Sequence, residues 1–203
     1  MHSEHDKRHW VFLVFPVAGL ISALLTIGWQ PHLFGREDVL GGVTFGTAIG
    51  ACCCVLVPLR SIWKIPVFIV VSAISAYLAF FSAVFTHDYA CRSRHICELD
   101  MFAGGLVGAF VLLLALQFFF LSERKPGREF VGSILGSLVG GLLGVFGSNS
   151  EFPLFRDVQR SFAPHDPVSD VSLIVVWQTG MAIVFGLTLW FQEHCRPEGK
   201  RAD

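Results

Sequence analysis

Six stretches of the chain, residues 10–28, 39–59, 65–85, 101–121, 130–147 and 173–191, contain no Asp, Glu, Lys or Arg. Each is 18 to 21 residues long, and together they take 119 of the 203 residues, so all 31 acidic and basic side chains crowd into the other 84. A helix rising 1.5 Å per residue needs about 20 apolar residues to cross about 30 Å of hydrocarbon. Inside lipid a backbone must satisfy its own hydrogen bonds, so continuous apolar runs of this length are helices. A barrel would alternate apolar and polar residues, and no such alternation is visible. The sequence therefore predicts an all-α polytopic bundle of six transmembrane helices over 10–191, flanked by a short segment 1–9 and a tail 192–203.

Composition closes off other classes. A mean hydropathy of +0.61 with 15% charged residues does not fit a soluble domain or a disordered tail. A net charge of −1 gives no basic surface for nucleic acid. A secreted disulfide scaffold is excluded by the same hydropathy.

Orientation follows from Lys and Arg. The N-terminus, residues 60–64, residues 122–129 and the tail carry 10 of them, while the opposite connections carry five: Arg36, Arg92, Arg94, Arg156 and Arg160. The positive-inside rule then puts both termini in the cytoplasm, in an inner or plasma membrane. Trp10, Trp29, Trp63, Trp177 and Trp190 lie at or near span ends, where an amphipathic indole sits at headgroup depth. The first span is read as retained, because its 19-residue apolar run exceeds a signal peptide's and no small-x-small cleavage site follows.

Cys91 and Cys97 fall in one outer connection, where an oxidising face lets them close a small disulfide loop. Cys52, Cys53 and Cys54 point about 100° apart around one helix and read as small packing residues, not metal ligands.

Glycine spacing is the sharpest local pattern. The fifth span carries Gly132, Gly136, Gly140 and Gly144 at four-residue intervals, the second Gly42, Gly46 and Gly50, and the fourth Gly104 and Gly108. A glycine column lets helix backbones approach closely and so marks packing faces; spacing alone leaves open whether the partner is in the same chain or in a second copy. Because the glycine-columned second and fifth helices are the middle members of helices one to three and four to six, a 3+3 inverted repeat is a further possibility.

The spans hold no charged residue and no histidine. Their polar set is mild: Thr44, Thr47, Ser72, Ser75, Tyr77, Gln117, Ser133, Ser137, Gln178 and Thr179. These suit hydrogen bonds between helices, and Gln178 with Thr179, beside Gly180, is the place to look for a solute path. Residues 153–162 read as an amphipathic helix on the outer surface, with Phe152, Phe155 and Phe162 near helical spacing.

The outer connections offer little chemistry. His87-Asp88 and His165-Asp166 would need a third ligand such as Glu98 or Asp100 to hold a metal, and the spacing matches no metal pattern. His95 to Asp100 resembles the HxxxxD string of glycerolipid acyltransferases, but the other blocks of that family are missing.

The function expected is non-enzymatic and cofactor-free. The protein would be embedded in the lipid bilayer and self-associate through its glycine faces, giving a channel-like or permease-like path for a small solute. A structural or accessory subunit of a larger membrane complex is the alternative, and a lipid-acting enzyme a distant third.

Overall fold

A computed structural model describes residues 4–29, 37–56, 62–94, 98–120, 126–149, 157, 160–161 and 168–194. They form α1 (Glu4–Trp29), α2 (Glu37–Leu56), α3 (Lys64–Arg94), α4 (Glu98–Phe120), α5 (Pro126–Ser148) and α6 (Val168–His194). No strand occurs among the described residues. All six helices are long and apolar enough to cross a membrane, and the chain is a multi-pass membrane protein. Pro126 opens α5, where its missing N–H costs nothing, and Glu98 and Asp100 in the first turn of α4 complement the helix dipole.

Most helix ends differ from the sequence reading by a few residues, and two of the differences bear on the site. Helix α3 runs nine residues past Phe85, and α4 starts three residues before Met101. Polar residues at a span end can stay helical once the chain is in the interface, where water satisfies side chains that hydrocarbon would exclude. His87 and Asp100, expected in a loop, thereby sit on helices.

The six helices form a closed ring in chain order. Each packs on its sequence neighbours, α6 closes on α1, and thinner contacts, among them those of α4 and α2 with α6, cross the middle. Phe12 stacks against Trp190 near the chain termini while Ser22 meets Gln178 further along, so α1 and α6 run antiparallel with both termini at one end. We call the half next to the termini proximal and the other half distal.

The proximal half holds the main core, with Phe15, Ile49, Cys53, Phe68, Leu113, Leu116 and Phe185 buried. A smaller cluster of Ala23, Ile27, Val171 and Val175 seals α1 to α6 in the distal half. Most of α3's surface is exposed and apolar, including Val70, Ile74, Phe81 and Phe85, as lipid contact requires.

The glycine columns face helices of the same chain. Gly42, Gly46 and Gly50 of α2 lie against α3, as do Gly104 and Gly108 of α4. Gly136, Gly140 and Gly144 of α5 lie against α4, and Gly132 sits beside the Gln117 side chain. Two approaches are too close for any side chain: a Cβ on Gly42 would stand 2.7 Å from Ala73 Cα, and one on Gly140 would stand 2.8 Å from the Gly105 carbonyl oxygen. Within one chain, then, these glycine columns meet neighbouring helices.

Candidate functional site

A cavity of about 490 Å³ occupies the distal half of the ring. Its wall takes Thr26 from α1, Gly41 and Phe45 from α2, Ser72, Ala76 and Ala79 from α3, Asp100, Gly104 and Leu112 from α4, Gly144 from α5, and Trp177 and Gln178 from α6. Small residues make the space: the glycines that bring α2 and α4 against α3 leave no side chain to fill the middle. A pocket of this size, mostly apolar with a few converging polar groups, has the character of a small-molecule site.

Gln178 is the polar centre of one wall and is only 5% exposed. Its Oε1 accepts a hydrogen bond from Ser22 Oγ at 2.7 Å, and its Nε2 donates to Thr26 Oγ1 at 3.3 Å and reaches the Gly41 carbonyl at 3.5 Å. The Thr26 and Thr44 hydroxyls are 2.7 Å apart, so one donates to the other. Ser22 and Thr26 share a face of α1 at i, i+4 spacing, which presents both to one side chain. They were not in the polar set singled out from the sequence, and that spacing is the signal that could have found them.

Thr179 is not part of this wall. Its Oγ1 is buried without a hydrogen-bond partner, as are Ser72 Oγ, Ser172 Oγ and Trp177 Nε1. Of these four, Ser72 and Trp177 belong to residues that line the cavity. A buried donor left unmet costs about 1–3 kcal/mol, so the wall is not optimised for stability alone.

At the distal mouth, His87 Nδ1 lies 2.8 Å from Asp100 Oδ2, joining α3 to α4. Asp100 is 8% exposed and its Oδ1 accepts from the Met101 N–H, whereas the His87 side chain is 54% exposed. This carboxylate faces the cavity from the first turn of α4, just outside the charge-free run 101–121. The sequence offered Asp100 beside His87 only as a third metal ligand, and not as its hydrogen-bond partner.

The proximal side of the cavity is closed by aromatic rings. Phe45 packs against Trp177 and Phe185 with centroids 6.0 and 5.8 Å apart, and Phe68 meets Phe120 edge-on at 5.1 Å and Phe185 at 6.4 Å. Tilted and edge-to-face pairs of this kind each add about 0.5–1.5 kcal/mol beyond simple burial. The centre of the ring is therefore open in one half and plugged in the other.

Among the described residues, two groups of hydrogen bonds between helices stand out. Gln178, Ser22, Thr26, Thr44 and the Gly41 carbonyl tie α6, α1 and α2 together. Ser75 Oγ donates to the Gly108 carbonyl at 2.7 Å, His87 pairs with Asp100, and Ser133 Oγ donates to Gln117 Oε1 at 3.1 Å, tying α3, α4 and α5. The two seams between these sectors, α2 on α3 and α5 on α6, are glycine and apolar contacts: Gly46 against Ile69 and Ser72, and Gly147 against Leu173 and Val176. This grouping does not follow helices one to three and four to six, the halves of the suggested repeat.

Other sequence candidates lie elsewhere. Cys52 and Cys53 are buried and Cys54 is exposed, all three as free thiols. The Cys91 side chain and Cys97 lie outside the described residues, as does most of 153–162. Within that segment Asp157, Arg160 and Ser161 are helical, and Ser161 Oγ donates to the Asp157 carbonyl at 2.9 Å. Among the described residues, no three His, Cys, Asp or Glu side chains gather into a metal site. Comparison of the chain with known protein families, curated proteins and solved structures found no match.

Proposed function

We propose that the protein is a permease-like carrier that takes a small solute into its distal cavity and releases it on the proximal side as its two helix sectors rock against each other. The observation that carries this reading is the partition of interhelical hydrogen bonds. Each three-helix sector is cross-linked internally by these hydrogen bonds, while the seam contacts described are close packing of glycine on the neighbouring helix, so sliding along them breaks none of those bonds. The cavity lies between the sectors, and so does the plug, because Phe45 and Phe185 belong to one sector and Phe68 and Phe120 to the other.

In the conformation described, the solute site faces the distal side, which the distribution of Lys and Arg makes the outer face. Parting of the Phe68–Phe185 contact, with closure of α3 and α4 toward Gln178 and Trp177, gives the opposite state. One chain contains the whole path, so carriage needs no second copy.

Spin labels on Val55→Cys of α2 and Phe130→Cys of α5 test this, in a chain whose native cysteines are alanine. Both positions are exposed, at the proximal ends of different sectors. Pulsed dipolar spectroscopy in lipid nanodiscs is expected to give two distance populations. A single narrow population in every lipid and temperature condition removes the proposal.

A further inference from the structure

We infer that the solute is an organic cation: an ammonium head on an apolar, ring-bearing body that carries a hydrogen-bond acceptor at its inner end. This rests on the reading of the cavity as a solute site and names what the site takes. The first ground is the charge of the wall. Its titratable groups are His87, Asp88 and Asp100, with no Lys or Arg among the described lining residues. Two carboxylates against one imidazole leave the mouth negative whether or not the imidazole holds a proton, so the local field draws in cations and turns anions away.

The second ground is the burial of Asp100. Its described partners are the Met101 N–H and His87 Nδ1, on a ring that is largely exposed and not permanently charged. A carboxylate withdrawn this far from water is best held by a full positive charge that also brings N–H donors. It has about four lone-pair sites, of which these two bonds use half, so acceptor capacity is left for the solute. An ammonium supplies both the charge and the donors.

The third ground is what lies deeper. A Cβ on Gly108 would stand 3.3 Å from Trp177 Cζ2 and 3.1 Å from Ala79 Cβ, so the indole packs at the level of Gly108 on α4 and Ala79 on α3. Gly108 is eight residues from Asp100 and Ala79 eight from His87, and by either helix the indole sits about 12 Å below the acidic mouth. Phe45, Phe80 and Trp177 give the wall three aromatic rings, which suit a ring-bearing body and attract a cation over their faces. Trp177 Nε1 and Ser72 Oγ are buried without a partner, Ser72 being 1% exposed. An indole N–H can only donate, so the group that meets it is an acceptor. A volume near 490 Å³ holds a molecule of this length.

The test compares three probes on one body: (para-methoxyphenyl)propylamine, the matching propanol and the matching propanoate. Isothermal titration calorimetry is run at neutral pH on the full chain in phosphatidylcholine nanodiscs, with empty nanodiscs subtracted. The expected result is saturable binding of the amine, about tenfold tighter than the alcohol, as a charge-assisted hydrogen bond is against a neutral one, and no measurable binding of the propanoate. Asp100→Asn should bring the amine to the alcohol's affinity. Trp177→Phe should weaken amine and alcohol alike, about two- to tenfold, because it removes the N–H and keeps a ring. Asp88→Asn, at an exposed position, gives a second reading where Asp100→Asn does not fold: the amine should lose up to about fivefold and the alcohol nothing.

An amine no tighter than the alcohol overturns the inference, as does a propanoate that binds as well as either, or an amine preference untouched by both Asp100→Asn and Asp88→Asn. Amine-selective binding in a chain with one fixed sector distance leaves this inference standing and removes carriage. Two sector distances without amine preference do the reverse.

Discussion

Ser22 Oγ donates to Gln178 Oε1 over 2.7 Å, although 156 positions separate the two residues. This bond joins the first spanning helix to the last and helps close the ring around the cavity. It also anchors Gln178 so that its amide turns toward Thr26 and Gly41. Membrane hydrogen bonds are individually weak, so the importance of the pair lies in which helices it groups together.

A double-mutant cycle on Ser22→Ala and Gln178→Leu should therefore give a coupling of about 0.6–1.7 kcal/mol, the range measured for such bonds in membrane bundles. Equilibrium unfolding in mixed micelles provides the values. Strictly additive losses would show that the two side chains do not act together.

Gly140→Leu should prevent the chain from folding as a single copy, because the new side chain meets Ala109 and the Gly105 carbonyl. Overpacking typically costs about 1–3 kcal/mol, and contact with backbone leaves little room for relaxation. Gly28→Ala is the matched control. Nothing lies within 4 Å of its added methyl, so stability should hold or rise by up to about 1 kcal/mol. If Gly140→Leu folds normally but lowers the mass of a larger assembly, the α5 face works between copies instead.

Phe185→Ala removes the ring that touches both Phe45 and Phe68 at the base of the cavity. A loss of about 3–5 kcal/mol is expected from the void. Proteoliposomes should also leak a small uncharged solute such as glycerol faster than with the unmodified chain, read by light scattering after an osmotic step. Folded Phe185→Ala vesicles as tight as the parent would show that these rings do not close a path.

Thiol labelling tests the topology and the expected disulfide together. In right-side-out vesicles, an impermeant maleimide should miss Cys195 unless the membrane is opened. Cys91 and Cys97 should react from outside only after reduction. Their bond would contribute about 2–3 kcal/mol. Labelling of Cys195 in sealed vesicles would invert the assignment of termini.

Much of the architecture was legible from residue order. Charge-free runs of 18 to 21 residues located six helices, since a continuous apolar run without alternation satisfies its backbone in lipid as a helix. The site was only half legible. Gln178 stood out as a polar side chain in an apolar span and Asp100 as an acid to set beside His87, but Ser22 and Thr26 did not, because small hydroxyls are common in membrane helices. That Asp100 is helical was not legible, because a span counted by charge stops before the first acid, whereas the helix runs on to Glu98.

What the sequence determined alone is the solvent of each segment: transfer free energy depends on composition and length, and both are local quantities. Tertiary structure decided which faces meet. Glycine columns are compatible with a neighbour in the same chain or in another, and only the folded chain shows which helices they face, α3 for α2 and α4, and α4 for α5. The cavity and its aromatic floor arise in the same way, from the volume left among six helices, which no single helix encodes.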